Sequence, residues 1–437
     1  MTGMLYENDP RGERQRFDET KLGGSEADRS SEAWPLGTKK RRTDAHFRRS
    51  YVLILAVICS MIAAASANAQ YTVSNLVSNT ELYSPRNLDP NLIDGWGLAA
   101  LPNSPWWLSA QNSSTSPLYN ANGSIVPLVV DIPCVTDSSG TTTVPCPLPG
   151  EGYLFELNNP NVKFGLFGPT GIVANTFSQG FQVSGASALF IYSTLEGLIV
   201  AWNTSVSPST EAVVVANRFG AAAYFGLAIA GPAQNPHLYA ANIVGGVDVF
   251  DKNFNFVNTF FPEPNLATTN PGFEGALYNV QAIGDKLYAT YLSDVVAGGI
   301  LDVCDLESST TNPTCTRLFA SNLSGTEKSP VLSAPWGIAL APHNFGPLSN
   351  QLLVGNVGDG LIHAFDPDTS QLKGTLNSAN GSPVSIPSLW GIQFGLGDSQ
   401  NGPRNHLFFS AGPSPVSPTD FVQSYGAGLF GVIKPED

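Results

Sequence analysis

Oxygen-bearing side chains recur at the ends of short apolar runs in this chain. Asn112, Asn242 and Asn356 each close a run that reads as a second strand, and Asn279 stands where related runs carry glycine. Amide and carboxylate oxygens drawn from several strands suit a hard cation such as Ca²⁺. The same residue types also end strands and start turns, because their short side chains bond to the local backbone. Asp251-Lys252-Asn253-Phe254-Asn255 and Asp366-Pro367-Asp368-Thr369-Ser370 have the look of Ca²⁺ loops. They lack the glycine at loop position six and the distal glutamate of an EF-hand, so they read as hairpin turns.

Nucleophile chemistry is not written here. His237 and His406 begin runs at equivalent positions and His363 lies inside one, but no Ser or Cys stands near them at a motif spacing and no Gly-x-Ser-x-Gly elbow occurs. They read as structural polar residues. No P-loop, zinc-protease motif or dinucleotide fingerprint is found. Four cysteines form two close pairs, Cys134/Cys146 and Cys304/Cys315, each bracketing a Ser/Thr-rich loop. Neither pair has Cys-x2-Cys spacing and no His accompanies them, so two loop-closing disulfides are expected rather than zinc.

The elements that must position these residues are short strands. Charged residues make up only 13% of the chain while it carries 43 Gly and 33 Pro, which favours an all-β chain with many turns. A Trp-Gly-aliphatic opening recurs at Trp96-Gly97-Leu98, Trp336-Gly337-Ile338 and Trp390-Gly391-Ile392, with weaker copies at Thr170-Gly171-Ile172, Phe225-Gly226-Leu227 and Tyr278-Asn279-Val280. The last five anchors are about 53–58 residues apart, the range of propeller blades with long loops. Each opening is followed by two or three more strand-like runs, giving blades at roughly 95–133, 170–217, 224–262, 277–321, 334–378 and 389–433. The last blade is one strand short, and the unpaired run at 70–78 supplies it, closing the ring and removing an open edge. The prediction is a six-bladed β-propeller of four-stranded blades over 70–437. A seventh, degenerate blade around Tyr153-Leu154-Phe155-Glu156-Leu157 is the alternative.

The N-terminal region has another purpose. Arg48-Arg49 precede a dozen apolar residues, Tyr51 to Ile62, and Ala67-Asn68-Ala69 precede Gln70. That is a signal peptide over 48–69 with an Ala-x-Ala cleavage site, short for a membrane span. An uncleaved signal anchor is the alternative, and the Arg pair weakly resembles a twin-arginine signal. Residues 1–47 have a disorder-like composition and are either an extension or an upstream start. The first 69 residues hold 11 Lys and Arg against 9 Asp and Glu, leaving 10 against 26 for the remainder. An acidic body disfavours nucleic acid and anionic lipid as partners. An exported, periplasmic or extracellular monomer without stable membrane insertion is expected.

Asp89-Pro90-Asn91-Leu92-Ile93-Asp94-Gly95-Trp96-Gly97-Leu98-Ala99, Leu238-Tyr239-Ala240-Ala241-Asn242, Val247-Asp248-Val249-Phe250-Asp251, Ser333-Ala334-Pro335-Trp336-Gly337-Ile338-Ala339-Leu340-Ala341-Pro342 and Leu353-Val354-Gly355-Asn356-Val357-Gly358-Asp359-Gly360 resemble an uncharacterised family of secreted bacterial propeller proteins, distantly similar to NHL and lactonase-type propellers. Some members of that family end in an exosortase-type sorting signal. Lys434-Pro435-Glu436-Asp437 has no hydrophobic tail, so that route is not implied. The resemblance implies a fold and export, and no established activity. In lactonase-type propellers Asn, Asp and Glu from several blades hold a Ca²⁺-like ion on the axis. The likeness makes Asn175, Asn242, Asn279, Asp294, Asn356 and Asp359 candidate axial ligands here, without a motif-level match. Trp96, Trp336 and Trp390 are candidate axial aromatics, read as packing before sugar stacking. Two functions follow: an exported scaffold binding a protein, glycan or small ligand at a propeller face, and a metal-dependent hydrolase or lyase with a divalent ion in the channel. The first is preferred because no catalytic constellation is legible.

Overall fold

A computed structural model of the chain describes residues 70–136, 139–146, 155–156, 163–164, 167–262, 275–293, 298–321, 329–413 and 426–436. The signal segment and leader expected over 1–69 lie outside these residues, as does Asp294.

The repeated strand runs form six four-stranded antiparallel sheets, the blades of a six-bladed β-propeller. Blade 1 consists of Gly95–Ala99, Trp106–Ala110, Thr115–Tyr119 and Ile125–Asp131. Blade 2 is Pro169–Ala174, Phe190–Thr194, Leu198–Trp202 and Val213–Asn217, and blade 3 is Tyr224–Ala230, His237–Asn242, Val247–Phe250 and Phe256–Phe260. Blade 4 runs through Gly275–Ile283, Lys286–Ser293, Gly299–Asp305 and Thr314–Ser321, and blade 5 through Pro335–Leu340, Leu352–Asn356, Ile362–Phe365 and Leu372–Thr375. Blade 6 takes Leu389–Phe394, Leu407–Ala411 and Leu429–Pro435 from the end of the chain and Gln70–Ser78 from its beginning. The first strand of each blade lies against that of the next, and the sixth returns to the first.

Burial explains why the sheets stack. The inner three strands are mostly buried, as in Trp106–Ala110 and Thr115–Tyr119, whereas outer strands such as Val213–Asn217 are largely half-exposed. A sheet buried on both faces cannot cover itself, so its neighbours must. Between blades 1 and 2 the Trp107 ring stacks on Phe190 at 4.3 Å and packs against Trp202 at 4.6 Å.

Ring closure follows the missing-strand argument. Tyr71 pairs with Pro435 and Val73 with Ile433, and the Tyr71 hydroxyl donates to Phe345 O of blade 5 at 2.8 Å. The closing strand also makes two short parallel pairings that the sequence did not announce, with Asn377–Ser378 and with Asn87–Leu88. Both add backbone partners to what would otherwise be a bare edge. The insert over 134–165 considered for a seventh blade contributes two two-stranded ribbons among the described residues, Cys134–Val135 with Thr142–Thr143 and Phe155–Glu156 with Lys163–Phe164. Both disulfides form. Cys304–Cys315 links facing positions of the third and fourth strands of blade 4, and Cys134–Cys146 closes the hairpin of Cys134–Val135 and Thr142–Thr143.

Candidate functional site

The six first strands run side by side down the axis, so equivalent residues form layers. The uppermost layer is aromatic: Trp96, Phe225, Tyr278, Trp336 and Trp390 pack into one buried cluster. Trp96 and Trp390 stack at 3.6 Å with 14° between their planes, and Trp336 meets Trp390 edge-on at 5.9 Å. The Trp336 indole reaches from blade 5 to blade 3 and donates to Phe225 O at 3.1 Å. Blade 2 has Thr170 in place of an aromatic. Its hydroxyl donates to Tyr224 O at 2.8 Å, and Leu195, from the turn beyond the second strand, joins the cluster instead. This cluster closes one end of the axis.

Below it comes the glycine layer. A Cβ on Gly97 would lie 2.7 Å from Thr170 O, and one on Gly337 would lie 2.5 Å from Trp390 O. The blades approach each other there through backbone, which only glycine permits. Asn279 breaks the layer. It is buried, packs against Gly226, and its Nδ2 donates to Trp336 O at 2.7 Å.

Under the glycines the axis opens into a cavity of about 370 Å³. Its walls are aliphatic side chains from five blades, Leu98, Ile172, Leu227, Ile338 and Ile392. Asn279 and Trp336 stand at its inner end, and Gln281, Gln393 and Arg404 at the opposite end of the axis, where the first strands finish.

The aromatic end holds a second set of groups. Asp94, with left-handed backbone at φ 55°, precedes Gly95, and Asn112 Nδ2 donates to its Oδ2 at 3.5 Å. Asp94 is half-buried as a residue while its carboxyl is enclosed, and this burial pushes the carboxyl up to about 7. The Trp96 indole lies near that carboxylate and opposes the rise, but falls short of hydrogen-bond geometry. Glu196 of blade 2 is buried. Desolvation lifts its carboxyl to about 7, against the pull of nearby donors including the Gly168 N–H, which donates to Oε2 at 3.2 Å. Gln111 Nε2 donates to the neighbouring Phe167 O, while Gln111 Oε1 and Glu196 Oε1 are buried without a partner.

The structure disperses most of the residues singled out from the sequence. Asn242 ends the second strand of blade 3 on the aromatic side, where Oδ1 accepts from Ala223 N at 3.0 Å and Nδ2 donates to Ala221 O at 3.5 Å. Asn356 is at the same end of blade 5, with Nδ2 donating to Val331 O at 2.9 Å and Oδ1 unpartnered. Asn175 lies beyond the opposite end of its first strand, between Ala188 O and Phe177 N. Asp359 accepts from Leu361 N in an exposed turn. Of the described members of the set, Asn279 alone lines the cavity. Among the described residues no three His, Cys, Asp or Glu side chains gather as a metal would need. His363 pairs with Thr375 at 2.9 Å. Trp96, Trp336 and Trp390 do face one another on the axis. Asp94, Glu196, Gln281, Gln393 and Arg404 were not anticipated. The rarity of cations after residue 69 is the signal that marks Arg404.

Fold and cavity together define a six-bladed propeller whose axis is closed by aromatics at one end and hollow at the other. No family model matches the chain. Two uncharacterised proteins of Acanthamoeba polyphaga mimivirus are each 27% identical to it, one over 358 residues (78% of this chain and 76% of the relative), the other over 343 residues (75% and 79%). These viral relatives overturn the expected membership of a secreted bacterial family. The Trp-Gly-aliphatic motifs that suggested it answer to crowding on the axis, a demand of the architecture and not of one lineage. Among solved structures, a streptogramin B lyase is similar at 10% identity with TM-score 0.43, covering 84% of this chain and 98% of that one. An alpha-L-arabinofuranosidase from Fusarium graminearum is similar at 9% identity with TM-score 0.48, covering 83% and 98%. These likenesses concern the fold alone.

Proposed function

We propose that the chain is an exported binding scaffold that holds a small ligand in the open end of its axis. The cavity carries this reading. It is lined by all six blades, closed at its inner end by the aromatic cluster, and its volume of about 370 Å³ falls within the span of small-molecule sites. Apolar walls with a few polar groups at one end are the usual build of such a site. Export is supported by the two disulfides, which persist in oxidising compartments, and by the apolar run before Gln70.

Of the donors considered for a divalent ion, Asn175 and Asn242 bond backbone at both ends of their amides, and Asn279 alone of the described ones lines the cavity. The scaffold reading therefore leads. Gln393 is half-buried at the cavity mouth, and Gln393→Trp would fill it. A fragment library read by ligand-observed NMR should give binders to the native protein that the variant loses. A bound fragment at 100 times its Kd should add about 2.7 kcal/mol of stability to the native protein. Binders that survive Gln393→Trp unchanged would move the site elsewhere.

A further inference from the structure

The charges around the cavity narrow what it would hold, granting the reading above that it holds a ligand. Among the described residues lining it, Arg404 alone is charged; Asn279, Gln281 and Gln393 are neutral amides and the rest is aliphatic, aromatic or glycine. Arg404 is exposed at the mouth and enters no ion pair among the described residues. Two more basic groups stand on the same end of blade 6. His406 precedes its second strand, Lys434 ends its third, and the Lys434 charge acts on His406. Residues 70–437 hold only 10 Lys and Arg against 26 Asp and Glu, so a cation among otherwise uncharged lining groups stands out against the acidic body. The nearest acid in that turn, Asp398, is occupied: its oxygens accept from the N–H groups of Asn103, Gln400 and Asn401.

We infer that the cavity takes a small amphipathic anion, a carboxylate on a short aliphatic chain, with the chain inside and the head at Arg404. Arg presents a fork of donors that matches a carboxylate, and a mouth position spares the head full desolvation. At about 30 Å³ for each water-sized group, the cavity has room for roughly ten non-hydrogen atoms, the size of octanoate.

Calorimetric titration of the full chain with octanoate and with 1-octanol tests this. Octanoate should bind about tenfold more tightly than octanol, a modest factor because Arg404 is exposed. Raising the salt should weaken octanoate and spare octanol. Arg404→Gln should abolish the difference by weakening octanoate alone, and Gln393→Trp should remove both ligands. Equal affinities in the native protein, or a preference that survives Arg404→Gln, would overturn the anionic assignment while leaving the cavity as a binding site. If neither ligand binds, the assignment falls. The fragment screen then decides separately whether the cavity reading falls with it.

Discussion

Glu196 makes stability depend on pH in the direction opposite to a carboxyl that its partners hold ionised. Its ordinary value is 4.5 and burial lifts it to about 7, so the folded chain holds this proton more tightly than the unfolded chain by about 3 kcal/mol. Below pH 4.5 both states are protonated and the contribution is fully present. As pH rises through 7 the folded state must carry a buried charge, and the contribution is lost. Unfolding a domain of this size carries an entropy of about 0.8 kcal/mol/K, so the loss amounts to about 4 °C in Tm.

Calorimetry at intervals from pH 4.5 to 8.5 on the native chain and on Glu196→Gln isolates the effect, because the general repulsion of an acidic body is present in both. The native Tm should fall more steeply, by about 4 °C over that window. The glutamine variant should match the native protein at pH 4.5 and exceed it at pH 8. Glutamine also offers a donor in a place where Gln111 Oε1 lacks one, which works in the same direction. Parallel pH profiles for the two proteins would refute the claim that this carboxyl is buried and costly to ionise.

Gly97→Ala places a methyl 2.7 Å from Thr170 O, a backbone atom that cannot turn aside; denaturant unfolding should show a loss of about 2 kcal/mol. Asp248 is fully buried and receives Arg218 Nε at 3.0 Å and the Tyr224 hydroxyl at 2.8 Å. Arg218→Ala leaves that charge without its counter-ion and should cost about 3 kcal/mol in the same assay. Asn242→Ala should lose about 1–3 kcal/mol because Ala223 N loses its acceptor, and a chelator added to the native protein should leave its melt unchanged. Reducing both disulfides, each closing a loop of about a dozen residues, should lower the midpoint by the equivalent of about 3 kcal/mol apiece.

The ring was legible in the sequence because packing on the axis leaves a local trace. A glycine is demanded wherever two first strands touch through backbone, and an aliphatic residue must follow, so Gly97-Leu98, Gly171-Ile172, Gly226-Leu227, Gly337-Ile338 and Gly391-Ile392 mark five blades directly. The missing fourth strand of the last blade was legible for the same kind of reason, since an edge at Leu429–Pro435 requires a partner. Leu195 was not legible in the aromatic layer, because it substitutes for Thr170 from a different strand connection. Nor was the burial of Asp94 and Glu196, which depends on segments distant in sequence: Gly412 of blade 6 beside Asp94, and Gly168 at the entry to blade 2 beside Glu196. The asparagines misled in the expected manner. Strand ends and cation sites ask for the same oxygens, and only the hydrogen-bond partners separate them.

A ring of six similar wedges has no intrinsic site, so whatever this one does must come from where the repeat breaks. Blade 4 breaks the glycine layer with Asn279, whose amide ties down Trp336 O and stands at the inner end of the cavity. Blade 6 breaks the charge pattern with Arg404, placed by the long turn between its first two strands. Blades 1 and 2 put Asp94 and Glu196 beside the closed end, where burial favours their neutral forms. The axis is therefore polarised, with acids behind the aromatic cluster and a cation at the mouth. Attraction at the mouth would orient the ligand proposed above to enter head last, its negative group staying with Arg404.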